Sequence, residues 1–125
     1  MSKTELTDGQ LLERCDYWKN KLGLSHWRTR VQIVKKDDLP LADIRACNEF
    51  DIKTEEAVIS LCAPCDYEDI FPQDMERDLV HELLHIPMRY IATPKEGSMG
   101  WIHMEATIER LANLLVKMER DAQLS

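Results

Sequence analysis

No stretch of this chain stays apolar long enough to cross a bilayer, and its first residues, "MSKTELTDGQ", lack the apolar core of a secretory signal. The first absence argues against a membrane-spanning helix. From the second we expect a protein that stays in a reducing compartment, the cytoplasm, where Cys15, Cys47, Cys62 and Cys65 remain thiols. Basic clusters are equally scarce. Beyond Lys35 and Lys36 no run of Lys or Arg occurs, and the net charge of -7 opposes binding to phosphate backbones, so no nucleic-acid partner is expected. Cys62-x-x-Cys65 has metal or redox spacing but no second pair to complete it, which favours ordinary packing thiols. Repeats and low-complexity tracts are absent too. What remains is a chain of 125 residues, 44% hydrophobic and 31% charged, which fits one soluble globular domain.

The periodicities place its elements. Thr7 lies three residues before Gln10 in a capping-box pattern, and Leu11, Leu12, Cys15, Trp18 and Leu22 follow at helical spacing until Gly23 stops the run. Trp27, Thr29, Val31 and Ile33 alternate with Arg28, Arg30, Gln32 and Val34, the period of a half-buried strand. "ADIRACNEFDI" and "EAVISLCA" read as two more strands, and the short connections predict a three-stranded antiparallel meander. After the loop "PCDYEDIFP", Asp74 can cap a second helix running to about residue 86, where Pro87 interrupts the ladder. A Gly- and Pro-bearing loop then leads to a last helix over about 101–122, with Ile108, Leu111, Leu115 and Met118 as its buried stripe. Helix, strands, helix, helix make an α+β domain. Trp18, Trp27 and Trp101 read as packing residues, and His26 has no assigned role.

One stretch resists a packing explanation. "LVHELLHIP" places His81, Glu82 and His85 inside an apolar run, where each costs desolvation unless something pairs with it. Residues four apart share a helix face, so His81 and His85 present two imidazoles at the separation one Zn2+ can bridge, with Glu82 beside them. A catalytic zinc needs a third protein ligand and an open position. The last helix offers Glu105 and Glu109, one turn apart, a like-charge pair that weakens an isolated helix by a few tenths of a kcal/mol, roughly. A cation would relieve it. Glu105 aligns with Ala112 on the flank of the apolar stripe and is the preferred third ligand, and Glu109 could accept the outer N–H of a ligating histidine. The competing reading is two solvated surface glutamates, and His103 is the rival ligand.

With these residues in place, His81-Glu82-Leu83-Leu84-His85 followed by Glu105-Ala-Thr-Ile-Glu109 resembles the gluzincin arrangement of thermolysin-like metallopeptidases, over about thirty residues. The layout is similar to minimal single-domain gluzincins and to short phage-encoded metallopeptidases. The resemblance implies a zincin-like domain in which His81, His85 and Glu105 bind one Zn2+ and Glu82 is the general base for peptide hydrolysis. The partner is then a peptide or protein substrate, with the oligomeric state left open. An inert zincin-like protein acting through a partner is the alternative. The family usually has Asp where Glu109 stands, and Tyr90, His103 and Arg110 all remain candidates for its electrophile. "AVISLCA" is a candidate edge strand for an extended substrate, with a plain core strand the equal alternative, and Gly97 and Gly100 would let the preceding loop move.

Overall fold

The first helix shows how directly local chemistry sets the elements. The structure, a computed structural model, describes residues 5–40, 45–63 and 73–124. At the start of α1 (Asp8–Lys21), Thr7 Oγ1 accepts from the Gln10 N–H at 3.2 Å and Gln10 Oε1 accepts from the Thr7 N–H at 3.0 Å. The box thus satisfies two amides that the helix itself cannot. At the other end Gly23 adopts φ +73°, and the Leu24 and Gly23 amides donate to the carbonyls of Lys19 and Asn20, a Schellman closure. Leu11, Cys15 and Trp18 face the core from this helix.

Three strands follow, β1 (Arg28–Val34), β2 (Ala46–Asp51) and β3 (Glu56–Cys62). They form a mixed sheet in the order β1-β3-β2, with β1 parallel and β2 antiparallel to β3. This corrects the antiparallel meander. The segment between β1 and β2 is long enough to carry β2 past the neighbouring position, so the β2–β3 hairpin returns β3 into the space between them. β3 belongs in the centre because it is the most apolar strand, with Ala57, Ile59 and Leu61 buried on one face and Ser60 and Cys62 on the other. "AVISLCA" is therefore the central strand and not an edge, while β2 occupies one edge. Across the inner face Val31, Ile59 and Asn48 form one row by register.

α2 (Met75–Ile91) packs against that face and against both other helices. Asp74 Oδ1 accepts from the Arg77 amide at 3.2 Å to cap it. The helix runs through Pro87 instead of ending before it. Proline removes the amide that the Leu83 carbonyl would accept, but Ile86 is fully buried, Met88 packs on the core, and the Ala92 N–H closes the last turn on the Met88 carbonyl. Packing outweighs one missing bond.

α3 (Met99–Leu124) starts two residues before the expected position, where Ser98 Oγ accepts from the Trp101 amide at 3.2 Å. Its buried stripe is Ile108, Ala112 and Val116, with Leu111 and Met118 turned outward at 38% and 59% exposure. The helix is rotated because Glu105 and Glu109 share the inward face with Ile108 and Ala112. Among the described residues no helix is long and apolar enough to cross a membrane.

A charged lattice ties the helices together. Glu76 Oε2 accepts from Trp18 Nε1 at 2.7 Å and from Arg14 Nε at 2.8 Å, and Arg120 forks onto Asp74 at 2.7 and 2.9 Å. Burial works to raise the Asp74 carboxyl, but hydrogen bonds from Arg120 and the Arg77 amide win and hold it below its ordinary value. A depressed carboxylate adds stability above its unfolded value and loses it as the pH falls through the folded one. We therefore expect the urea midpoint to fall between pH 5 and pH 2.5, and to fall less steeply in Asp74→Asn.

Candidate metal centre

His81, Glu82 and His85 sit on the turn of α2 that passes beneath the β2 edge and beside α3. Helical spacing sets the two imidazoles one above the other, with ring centroids 5.2 Å apart. α3 supplies the carboxylates. Glu105 Oε1 lies 2.9 Å from His85 Nε2 and its Oε2 lies 3.3 Å from His81 Nε2. Glu109 Oε2 meets the other His81 nitrogen, Nδ1, at 2.8 Å. One ligand atom from each of His81, His85 and Glu105 falls within 4.8 Å of the others, a group that can hold a metal ion. All three residues are partly exposed, so the group opens onto solvent on one side.

The electrostatics follow from this crowding. Burial disfavours a charged His81, yet hydrogen bonds to Glu105 and Glu109 prevail and raise it to about 10. The same contacts, with His85, hold Glu105 down at about 2. Glu109 is held below its ordinary value by His81 against the opposing effect of burial, and Arg77 Nε approaches its other oxygen at 3.4 Å. Glu82 differs. Burial pushes its carboxyl up to about 6, against the pull of His81 and His85. It is only 9% exposed, and Asn48 Nδ2 donates to its Oε1 at 2.9 Å and to its backbone carbonyl at 3.0 Å.

Two recesses flank the histidines. One, of about 210 Å³, is lined by Arg45, Asp78, His81, Glu82, Glu105 and Glu109. The other, of about 490 Å³, runs from His85 past Asn48, Phe50 and Arg89 to Trp101 and Met104. The cleft thus follows β2 from its first residue towards Phe50. Comparison of the chain with protein-family models, with curated proteins and with solved structures finds no match.

The site residues fall into two sets. His81, Glu82, His85, Glu105 and Glu109 are brought together. His103 is exposed on α3 and is not part of the ligand group, and Tyr90, His103 and Arg110 are exposed and line neither recess. Cys62 is buried and is also outside the group, while Cys65 lies outside the described residues. His26, unassigned in sequence, pairs with Glu55 at the surface at 2.9 Å.

Sequence reasoning overlooked four residues: Asn48, Arg45, Asp78 and Arg77. The signal for Asn48 was present, an amide on the inward face of a strand between Ala46 and Phe50. Nothing local marks the others. Because Glu109 meets His81 Nδ1 and leaves Nε2 towards Glu105, Glu109→Ala should weaken the binding of a divalent metal ion at this group about 10- to 100-fold, read by competition with a fluorescent chelator. Restoring a carboxylate on a shorter stem, Glu109→Asp, should recover part of that loss.

Proposed function

We propose that this protein is a zinc-dependent metallopeptidase of zincin-like fold that hydrolyses peptide bonds. The observation that supports this reading most is the convergence of His81, His85 and Glu105 ligand atoms within 4.8 Å, with the buried Glu82 carboxylate beside them. The donor set suits zinc. Two imidazole nitrogens and one carboxylate are the ligands of a catalytic site that keeps a position open, and Glu105 turns one oxygen to each imidazole, the arrangement a shared cation would use. His81 and His85 would bind through Nε2 and Glu105 through its carboxylate. Bound there, zinc supplies Lewis-acid chemistry, acidifying a coordinated water and polarising a carbonyl oxygen.

The chain's own residues do the rest. Glu109 accepts a hydrogen bond from His81 Nδ1–H and leaves Nε2 facing Glu105. Glu82 accepts a proton from the attacking water and passes it to the leaving amine. The β2 edge, beside Asn48 and both recesses, offers backbone groups to which an extended peptide can add as a further strand. The residues His81-Glu82-x-x-His85 and Glu105 resemble the gluzincin pattern, with Glu109 where that family usually has Asp.

The test uses the purified chain. Elemental analysis should find one zinc per chain, and a proteome-derived peptide mixture should be cut at defined sites, with cleavage stopped by a chelator and restored by zinc. Zinc bound without cleavage would overturn the enzyme and leave a metal-stabilised protein that acts through a partner.

A further inference from the structure

The inner face of β2 carries Ala46, Asn48 and Phe50, and Asn48 lies directly across from the fully buried Ile59. An amide there costs free energy unless it is matched. The match comes from one residue. Asn48 Nδ2 donates to the Glu82 backbone carbonyl at 3.0 Å and to Glu82 Oε1 at 2.9 Å. Two N–H groups on one nitrogen thus grip the main chain and the side chain of the same glutamate.

We infer that Asn48 is a positioning residue that orients the Glu82 carboxylate from the substrate-binding strand. The inference rests on the peptidase reading, and it explains the residue type. A glutamate side chain has three torsions and gives up rotamer freedom when held in one arrangement. Asn48 holds it through Oε1, which leaves Oε2 to meet the attacking water. A neutral donor does this without neutralising the base, as a Lys or Arg ion pair would. An aspartate would repel it. Because β2 is also the strand on which the peptide docks, substrate position and base position are set by one element.

Three proteins test this, all zinc-loaded: the parent, Asn48→Leu and Asn48→Gln. Leucine keeps the size and removes the donor; glutamine restores an amide. The probe is a quenched fluorescent peptide carrying the cleavage site mapped from the peptide mixture. Asn48→Leu should keep its zinc and lose about 10- to 100-fold in kcat with KM within about threefold, and Asn48→Gln should recover most of that loss. A residue that merely pins β2 to α2 would raise KM and lower Tm instead, with kcat unchanged; that result overturns the inference. A crystal structure of Asn48→Leu gives a readout that needs no turnover: the Glu82 carboxylate should leave its position or occupy several rotamers. A carboxylate found unmoved overturns the inference even if the parent cleaves nothing, whereas a displaced one supports it whatever becomes of the peptidase reading.

Discussion

Glu82→Gln should lower peptide hydrolysis about 10²- to 10⁴-fold and leave one zinc bound per chain. The substitution keeps the shape and size of the side chain and its acceptor oxygen for Asn48, which lies 2.9 Å from Glu82 Oε1. What it removes is the ability to take a proton. Metal retention follows because Glu82 is not among the three residues whose ligand atoms converge. Stability should move the other way. Burial raises the Glu82 carboxyl from 4.5 to about 6, so its ionised form weakens the fold increasingly as the pH climbs through that window. In chelator at pH 7.5 the glutamine variant should therefore melt no lower than the parent. Rates on the peptide mixture, zinc content and a melting scan check the three parts. Cleavage at the parental rate would remove Glu82 from the mechanism.

Glu76→Ala should destabilise the fold by about 3–5 kcal/mol and lower Tm by about 10 °C or more. Glu76 is 8% exposed and joins two helices, since its Oε2 accepts from Trp18 Nε1 and from Arg14, and Arg120 of α3 approaches Oε1 at 3.8 Å. Alanine would leave a guanidinium and an indole N–H without their acceptor, and it is this uncompensated burial that costs the most. An exposed pair makes the comparison. Lys117 and Asp121 meet at 3.0 Å on α3 with side chains 74% and 61% exposed, so Lys117→Ala should cost under about 0.5 kcal/mol. Urea titrations of both variants decide this. Similar losses for the two would show that Glu76 is no better desolvated than a surface carboxylate.

How far the sequence leads depends on how local the cause is. The Thr7–Gln10 box, the Gly23 stop and the Asp74 cap need only neighbouring residues, and each forms as the pattern predicts. The His81–His85 spacing is likewise a property of one helix. Bringing Glu105 to them is not, and the sequence hint was indirect: two glutamates one turn apart that repel without a cation. Strand order lay beyond reach because connection length limits but does not choose which neighbour a strand takes, and the burial of both faces of β3 shows only in the assembled sheet. α3 carries apolar residues on more than one side, Ile108 and Val116 inward and Leu111, Leu114 and Met118 outward, so periodicity alone placed Ile108 and Leu115 correctly against the core and Leu111 and Met118 wrongly. Asn48 could be placed on the inward face of its strand by alternation, but not matched to what it bonds. Its partner is 34 residues away.

The central claim is that two imidazoles of α2 and one carboxylate of α3 hold a zinc ion. An anomalous difference map at the zinc edge, from crystals of the purified chain grown with zinc, tests it most directly. We expect one strong peak about 2.0–2.2 Å from His81 Nε2, His85 Nε2 and a Glu105 oxygen, absent in Glu105→Ala crystals grown the same way. No peak between the two helices, or a peak that ignores Glu105, would contradict the account.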